Sequence, residues 1–291
     1  MKFFLFFIFR TICITLLLLV VLDLFYTFIY LQSDQRGKID YVYQSKELNY
    51  DVVILGSSRA NNHFVTPMFK DKGLKTFNFG MSGSHLFEAS LLLKLMIERK
   101  YNIKNVIIET DLNLSYQNQA DGISSFFLPY IHQSKTIKNH FHNQENFYKM
   151  YFIPFFRYLN FEPRIGFREM FLSAIHKKTN HLQNLGYHPL LNSMGKSEIN
   201  TIKLKPAHNK YYEEIKQICA ANNINLIAIM TPMCSTVTGI DYFEKTNKIY
   251  PEIHNYESVI KGDQYFSSCG HLNDSGARKF TAVILKDFFN K

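Results

Sequence analysis

The chain opens with a long apolar stretch, residues 3–31, in which large hydrophobic side chains follow one another with few polar interruptions. A stretch of this length can cross the roughly 30 Å hydrocarbon core of a bilayer. A cleaved signal peptide is the alternative, but Tyr26 and Tyr30 stand where a small-x-small cleavage site would be required. We therefore predict an uncleaved transmembrane anchor over residues 1–31.

Charges around this stretch indicate its orientation. Lys2 and Arg10 favour a cytoplasmic N-terminus, whereas Arg36 and Lys38 beyond the stretch reduce the asymmetry. We expect a single-pass membrane protein whose C-terminal domain lies outside the cytoplasm. Asp23 is costly in lipid and leaves two interpretations open, contact with another membrane protein or a position near the outer interface.

Strands and helices alternate after a polar segment, residues 32–48, which we interpret as a linker. Short apolar runs predict strands, and apolar positions at helical spacing predict helices. The predicted strands are 51–55, 75–79, 104–109 and 224–230, and the predicted helices are 85–99, 207–221 and 275–289. This alternation predicts an α/β fold over residues 49–291, a doubly wound parallel-sheet sandwich.

The middle of the chain, about residues 115–205, breaks the alternation. It is rich in Phe and Tyr, interleaved with Lys and His. A structureless loop of that length is uncommon in a compact domain. We interpret the segment as a helical insertion that covers the carboxyl edge of the sheet, where the loops after the strands open.

Small hydroxyl residues follow the first predicted strand directly. Gly56 leads into Ser57 and Ser58, so a serine stands at the carboxyl end of a buried strand, where open α/β sheets build their sites. Such a serine is a nucleophile if a histidine reaches it, and His271 stands near the other end of the chain. A serine-rich turn that only caps the next helix is the alternative.

Four blocks occur in a fixed order. They are Gly56-Ser57-Ser58, residues 77–83, residues 106–113, and His271-Leu272-Asn273 ahead of the last helix. In these blocks the chain resembles the SGNH (GDSL-type) hydrolase superfamily, in particular its membrane-anchored cell-envelope branch, which includes alginate O-acetylation proteins and the teichoic-acid D-alanylation protein. The resemblance covers roughly residues 50–115 and 220–291.

The resemblance implies a role for one residue of each block. Ser58, and not Ser57, is the expected nucleophile, and His271 is the expected base. Gly83 and Asn113 are the expected oxyanion donors, together with the backbone N–H of the nucleophile. The three residues other than the histidine follow strands of one parallel sheet, so they converge on one edge.

Two positions depart from the family pattern. Ser57 replaces the aspartate that the family has before the nucleophile. Ser268 stands three residues before His271, where the family usually has an aspartate that orients the base, and loss of such a carboxylate costs about 10⁴ in turnover. A backbone carbonyl, Ser268 or Asp263 are the alternative orienting groups.

Cys234 and Cys269 are candidates for a disulfide. Cys234 follows the strand that ends at Met230, and Cys269 lies two residues before His271. Both loops leave the carboxyl edge of neighbouring strands, so the Cα atoms can approach the roughly 4.4–6.8 Å that a disulfide needs. Outside the cytoplasm the bond persists and fixes the histidine loop. Two unpaired thiols are the alternative.

The composition of the chain shows that positive charge is concentrated in its middle segment. The formal charge is +9, and residues 120–210 hold twelve Lys or Arg against five Asp or Glu. No histidine spacing matches a zinc site, so we expect no metal and no cofactor. His63 is expected on a helix surface and not as a second base.

Two functional hypotheses follow. The leading one is a membrane-anchored, envelope-facing serine esterase or O-acyltransferase that acts on a glycan or an anionic envelope polymer. The second is a catalytically silent accessory protein that binds an acyl-transfer membrane enzyme or its polymer, supported by the missing aspartate and by Asp23. Nucleic acid is disfavoured as a partner by the anchor and by the lack of a recognised motif.

Overall fold

A computed structural model describes residues 1–192, 200–239 and 241–290. The chain divides into two compact units, and each unit combines two separate parts of the sequence. The helical unit consists of residues 1–45 and 124–178, and the sheet unit consists of residues 46–123 and 179–291.

Seven strands and fourteen α-helices lie in the described part of the chain. The strands are β1 Asn49–Leu55, β2 Thr76–Asn78, β3 Asn102–Glu109, β4 Asn225–Met230, β5 His254–Asn255, β6 Phe266–Ser268 and β7 His271–Leu272. The helices are α1 Lys2–Tyr30, α2 Lys38–Gln44, α3 Ser58–His63, α4 Thr66–Asp71, α5 Leu86–Glu98, α6 Asp121–Ser124, α7 Lys135–Phe141, α8 Phe147–Phe152, α9 Phe156–Asn160, α10 Glu162–Ile165, α11 Phe167–Ala174, α12 Lys210–Ala221, α13 Asp241–Ile249 and α14 Asp274–Phe289.

The sheet unit is built on five parallel strands in the order β2-β1-β3-β4-β5, with a separate antiparallel pair, β6 and β7. The last four residues of β1, β3 and β4 are all buried, as in parallel strands that are covered on both faces. The predicted α/β class with a parallel sheet is therefore confirmed. From β1 the chain adds β2 on one side, and it then adds β3, β4 and β5 on the other side. The point between β1 and β3 is therefore a topological switch point, where open α/β sheets bind ligands.

One continuous core joins the sheet to the C-terminal helix. Val52 and Ile54 of β1 and Ile107 of β3 belong to the same buried cluster as Phe280 and Ile284 of α14. The two-residue spacing of Val52 and Ile54 puts both side chains on one face of the sheet. The packing of α14 against this face supports β7, which lies immediately before α14 and carries His271.

The helical unit contains the apolar N-terminal helix. α1 has a mean hydropathy of 2.8 in its most apolar window, and that window has no buried residue. It is long and apolar enough to span a membrane, so the predicted N-terminal apolar helix is confirmed. Segment 32–48, interpreted as a linker, instead contains α2. Ile39 and Val42 are buried in this helix, but two apolar residues at i and i+3 are too few to show a helical period.

The helical unit takes residues 124–178 of the middle segment, for which the sequence predicts a helical insertion over about 115–205. Residues 179–192 belong to the sheet unit, where the Tyr187 hydroxyl donates to Asp274 (2.8 Å) and the His188 N–H donates to the Asn61 carbonyl (3.0 Å). These hydrogen bonds join residues that are distant in sequence, so the hydrophobic pattern of the sequence cannot predict them.

Asp23 is satisfied within the helical unit. Its carboxylate accepts from the Arg157 guanidinium (2.8 Å) and from the Phe155 N–H (2.7 Å). The same guanidinium nitrogen donates to the Thr27 hydroxyl (2.9 Å). A second membrane protein is therefore not needed to neutralise this charge, and Asp23 no longer supports the accessory hypothesis.

Candidate active site

Ser58 and His271 lie within hydrogen-bonding distance of each other. The Ser58 Oγ is 2.7 Å from His271 Nε2, although the residues are 213 positions apart. Ser58 is the first residue of α3, three positions after the last residue of β1, and His271 is the first residue of β7. Both side chains are partly exposed. This is the geometry of a hydroxyl nucleophile and its general base.

The turn before Ser58 needs a glycine. Gly56 has φ +136°, and a Cβ there would lie 2.8 Å from the Glu109 side chain. Its carbonyl accepts from the Met81 N–H and from the Ser84 hydroxyl, both at 2.9 Å. These two bonds tie the loop that carries Gly83 to the residue two positions before Ser58.

Ser57 is engaged elsewhere, which separates it from its neighbour. Its hydroxyl and its N–H both donate to Oε2 of the buried Glu109, at 2.6 and 2.8 Å. The Asn113 amide donates to the other oxygen of that carboxylate at 3.3 Å. Glu109 therefore holds Ser57 and Asn113 together at the ends of β1 and β3, and the second amide hydrogen of Asn113 is left for a substrate oxygen.

Gly83 and Ser58 supply candidate backbone donors. Gly83 has φ +83°, a conformation that favours glycine. Among the residues that the structure describes, no acceptor is bonded to the N–H of Ser58 or of Gly83. Both groups are therefore available to an oxyanion, with Asn113 as the side-chain donor.

Ser268 contacts Nδ1, the second ring nitrogen of His271. Its Oγ lies 3.1 Å from His271 Nδ1. Asp263 instead accepts from the Ser235 hydroxyl (3.0 Å) and N–H (3.3 Å), so Ser268 is favoured over Asp263 as the orienting group. For Nε2 to accept the Ser58 proton, Nδ1 must carry the ring hydrogen and the Ser268 oxygen must accept it.

Burial, and secondly the positive charge of Arg59, lower the pKa of His271 to about 4. The imidazole is therefore neutral at neutral pH and free to take a proton. In serine triads a carboxylate at this nitrogen stabilises the imidazolium that forms during the reaction, whereas the Ser268 hydroxyl is uncharged. His271 is therefore unprotonated at neutral pH but has a low basicity.

A buried ion pair holds Arg59, the residue after Ser58. The Arg59 Nε lies 2.8 Å from Asp111 Oδ2, and its Nη2 donates to the carbonyls of Thr231 (3.1 Å) and Pro232 (2.9 Å). Asp111 also accepts the Thr231 N–H. These bonds link the loops after β1, β3 and β4. In the sequence this ion pair is indicated only by opposite charges shortly after two strands. That pattern predicts a contact only if the two strands are known to be neighbours.

The expectation that His63 lies on a helix surface is wrong. The side chain is fully buried, and its Nε2 accepts the backbone N–H of Leu272 at 3.0 Å. Its ring meets the His271 ring edge to face, with 6.1 Å between centroids. α3 has only six residues and five of them, Arg59 to His63, are buried, so it has almost no solvent face. Burial first, and then the nearby charges, keep the pKa of His63 well below its usual value.

Replacing His63 by leucine should lower kcat by up to about 10²-fold, because a small displacement of the base weakens proton transfer. The buried Leu272 N–H would lose its acceptor, which should also reduce the free energy of unfolding by about 1–3 kcal/mol. His63→Gln is the matched control, since its amide oxygen can replace Nε2 as acceptor. Steady-state kinetics over a pH range measure both variants. Equal losses in the two variants would contradict the positioning role.

Cys234 and Cys269 are joined in a disulfide. Their Cα atoms are 4.8 Å apart, and the Cys234 N–H donates to the Cys269 carbonyl at 3.1 Å. The bridge connects the loop after β4 to the loop that carries His271. Of the described cysteines, Cys13 and Cys219 are free.

Peptide mapping without reduction should recover Cys234 and Cys269 as one linked pair from protein taken from its native compartment. The bond closes a separation of 35 residues, so replacing both cysteines by serine should lower the free energy of unfolding by about 4 kcal/mol. Cys13→Ser is the matched control, because Cys13 is free and exposed. Recovery of free thiols at both bridge positions would contradict the prediction.

Comparison with protein-family models and with curated proteins gives no match for this chain. The relationship to SGNH hydrolases therefore remains a resemblance in the four motif blocks. Within the described residues, no group of three or more His, Cys, Asp or Glu side chains is arranged to hold a metal ion.

Proposed function

We propose that this protein is a serine-dependent esterase or O-acyltransferase of the SGNH type. The observation that carries the proposal is the 2.7 Å contact between Ser58 Oγ and His271 Nε2, at the carboxyl edge of a parallel sheet. The site lies at the switch point between β1 and β3, which supports the finer proposal of a doubly wound SGNH sandwich.

The reaction begins when His271 Nε2 takes the Ser58 proton as Oγ attacks the ester carbonyl carbon. Negative charge moves to the carbonyl oxygen, where the N–H groups of Ser58 and Gly83 and the Asn113 amide stabilise it. The C–O bond to the alcohol breaks, the alcohol leaves with the proton from His271, and an acyl group remains on Ser58. Water or a sugar hydroxyl then attacks this acyl group and gives its proton to His271. The bond between the acyl carbon and Ser58 Oγ breaks, His271 returns the proton to Oγ, and both side chains are regenerated.

A glycan or anionic envelope polymer is the substrate class that we propose. α1 supports attachment to a membrane, and the basic residues between 120 and 210 favour an anionic partner. The acyl donor or acceptor is then a polymer outside the cytoplasm, and a membrane acyltransferase is the candidate partner.

Labelling with a fluorophosphonate tests the nucleophile directly. Such a probe phosphonylates an activated serine, so mass mapping should find the adduct on Ser58 and not on Ser57. His271→Ala should suppress labelling, because the base that activates Oγ is gone. A folded protein without an adduct on Ser58 would reject the enzymatic proposal.

The accessory function is the second candidate, and one observation favours it. Ser268 stands at His271 Nδ1 in place of a carboxylate, so the imidazolium formed in catalysis lacks a charged partner. A silent protein should bind the envelope polymer equally well as wild type and as Ser58→Ala, and should not react with the fluorophosphonate.

A reporter that is active only outside the cytoplasm, fused after Lys291, should be active. The basic residues near the N-terminus and the length of α1 predict one span with residues 50–291 exported. A reporter active only inside the cytoplasm is the control on the same junction. A silent external reporter on a stable fusion, or a mature N-terminus beyond Leu31, would contradict this topology.

A further inference from the structure

The helical unit exposes an unusual number of large apolar side chains outside α1. Seven such residues fall between positions 148 and 175, with exposed fractions of 46–67%. In the described part of the sheet unit only four large apolar side chains are exposed. We call the seven the apolar set: Tyr148, Phe152, Ile153, Leu159, Phe167, Phe171 and Ile175. Apolar exposure concentrated in this way marks an interaction surface.

Helical spacing turns two parts of this set outward. Phe167 and Phe171 of α11 and Ile175, the C-cap residue of that helix, follow one another at intervals of four, whereas Met170 and Ser173 of the helix are buried. On α8, Tyr148 and Phe152 are also four apart, and their rings stack with centroids 6.2 Å apart. Residues spaced by four share a helix face, so α8 and α11 each present an apolar face outward.

These helices are attached to the C-terminal end of α1. Tyr158 shares a hydrogen bond with Thr27 at 2.8 Å, and Phe155 packs edge to face on Tyr26 with ring centroids 4.9 Å apart. α11 packs against α1, and its Glu169 pairs with Arg36 at 2.6 Å. The helices of the insertion therefore lie around residues 23–36.

The length of α1 places that attachment at the edge of the membrane. At about 1.5 Å per residue, residues 3–22 alone cover the roughly 30 Å hydrocarbon core. The remaining residues of α1, 23–30, then lie at the headgroup level, and so do the helices packed on them. Leu24, Phe25 and Phe28 stay exposed on α1 at this level, so the apolar surface of the span continues toward the insertion.

Charges beside the apolar set fit anionic headgroups. The exposed charged residues between positions 145 and 178 are Lys149, Arg164, Arg168, Lys177 and Lys178 against Glu145 and Glu162. Basic residues beside an outward apolar face are typical of helices that lie in the membrane interface.

We propose that α8–α11 rest on the bilayer as interfacial helices, with the apolar set inserted among the lipid headgroups and upper acyl chains. The inference rests on the proposed anchoring by α1 and is independent of the chemistry at Ser58. The span and these helices form one membrane-binding surface, with lipid as the occupant.

The absence of tryptophan from the chain gives a clean test. Single substitutions Phe152→Trp and Phe171→Trp place the reporter in the apolar set of the full-length protein. Leu16→Trp reports on the span, and Ile202→Trp is the matched exposed apolar position of the sheet unit, 65% exposed. Each variant is reconstituted in protein-free liposomes of phosphatidylcholine and phosphatidylglycerol that carry brominated acyl chains near the headgroup.

Side chains at the interface lie about 5–10 Å deep, so Phe152→Trp and Phe171→Trp should show blue-shifted emission and lose about half of it to the brominated lipid. Ile202→Trp should keep its emission. Quenching at Leu16 without quenching at 152 and 171 would overturn the lipid contact and leave a protein as the occupant of the apolar set. Absence of quenching at Leu16 would overturn the anchor and this inference together, and equal quenching at Ile202 would reduce the contact to non-specific adsorption. Fluorophosphonate labelling of Ser58 stays unaffected by all three outcomes.

Discussion

Ser58→Ala should lower kcat toward an acetyl-ester reporter or the native acyl acceptor by about 10⁴ to 10⁶, the range that the loss of a catalytic-triad member costs in serine hydrolases. In the proposed reaction the hydroxyl at 2.7 Å from His271 Nε2 is the group that forms the acyl intermediate, and alanine would leave only the candidate oxyanion donors. Normal activity of Ser58→Ala in both assays would reject the esterase and the transferase proposals together.

Ser57→Ala is the matched control for that result. It removes one hydroxyl donor from the buried Glu109 but keeps the Ser57 N–H on the same oxygen. The free energy of unfolding should fall by about 1–2 kcal/mol, while substantial activity remains. Two adjacent serines with opposite consequences would distinguish the nucleophile from a serine that only stabilises the turn.

Ser268→Asp should raise turnover by about 10- to 100-fold, a part of the roughly 10⁴ that an orienting aspartate contributes in a serine triad. The new carboxylate would take the position of a hydroxyl that lies 3.1 Å from His271 Nδ1. It would stabilise the imidazolium and raise the pKa of His271. Ser268→Asn has a similar size without the charge and should give no increase.

The pH profile separates a charge effect from a general improvement. In the wild-type protein burial, and then Arg59, lower the pKa of His271 to about 4, so activity should persist as pH falls and be lost only near pH 4. In Ser268→Asp the carboxylate favours the protonated ring, so the acid limb of kcat/KM should move to higher pH. An unchanged acid limb with unchanged turnover would mean that position 268 does not control the base.

The pattern of the sequence predicts those parts of the site that follow local rules. The apolar run ending at Leu55 predicts β1 and therefore the position of Ser58 at its carboxyl end. The order of the strands predicts that Cys234 and Cys269 come close together, and the structure has their Cα atoms 4.8 Å apart, although Cys269 lies in the turn between the antiparallel strands β6 and β7. Both inferences use only strand ends and the direction of a parallel sheet.

Other parts depend on tertiary contacts that no local pattern reports. His63 has the polar neighbours of a surface residue, yet the short α3 is enclosed by α14 and β7 and the ring is buried. β5 has only two residues, both exposed, which is too short for an alternating pattern. Arg59 and Asp111 form a pair only because β1 and β3 are neighbours in the sheet.

The bonds of Asp23 also fix an order of events during biosynthesis. Its partners in the chain, Phe155 and Arg157, are 132 and 134 residues downstream. At a synthesis rate of about 5–20 residues per second, the ribosome needs on the order of ten seconds to reach them. For that interval the nascent α1 carries an acidic side chain without its cation, and the helical unit can close only after the strands β1 to β3 have been made. Folding of the helical unit around α1 is therefore a late step, because it waits for residues 155 and 157.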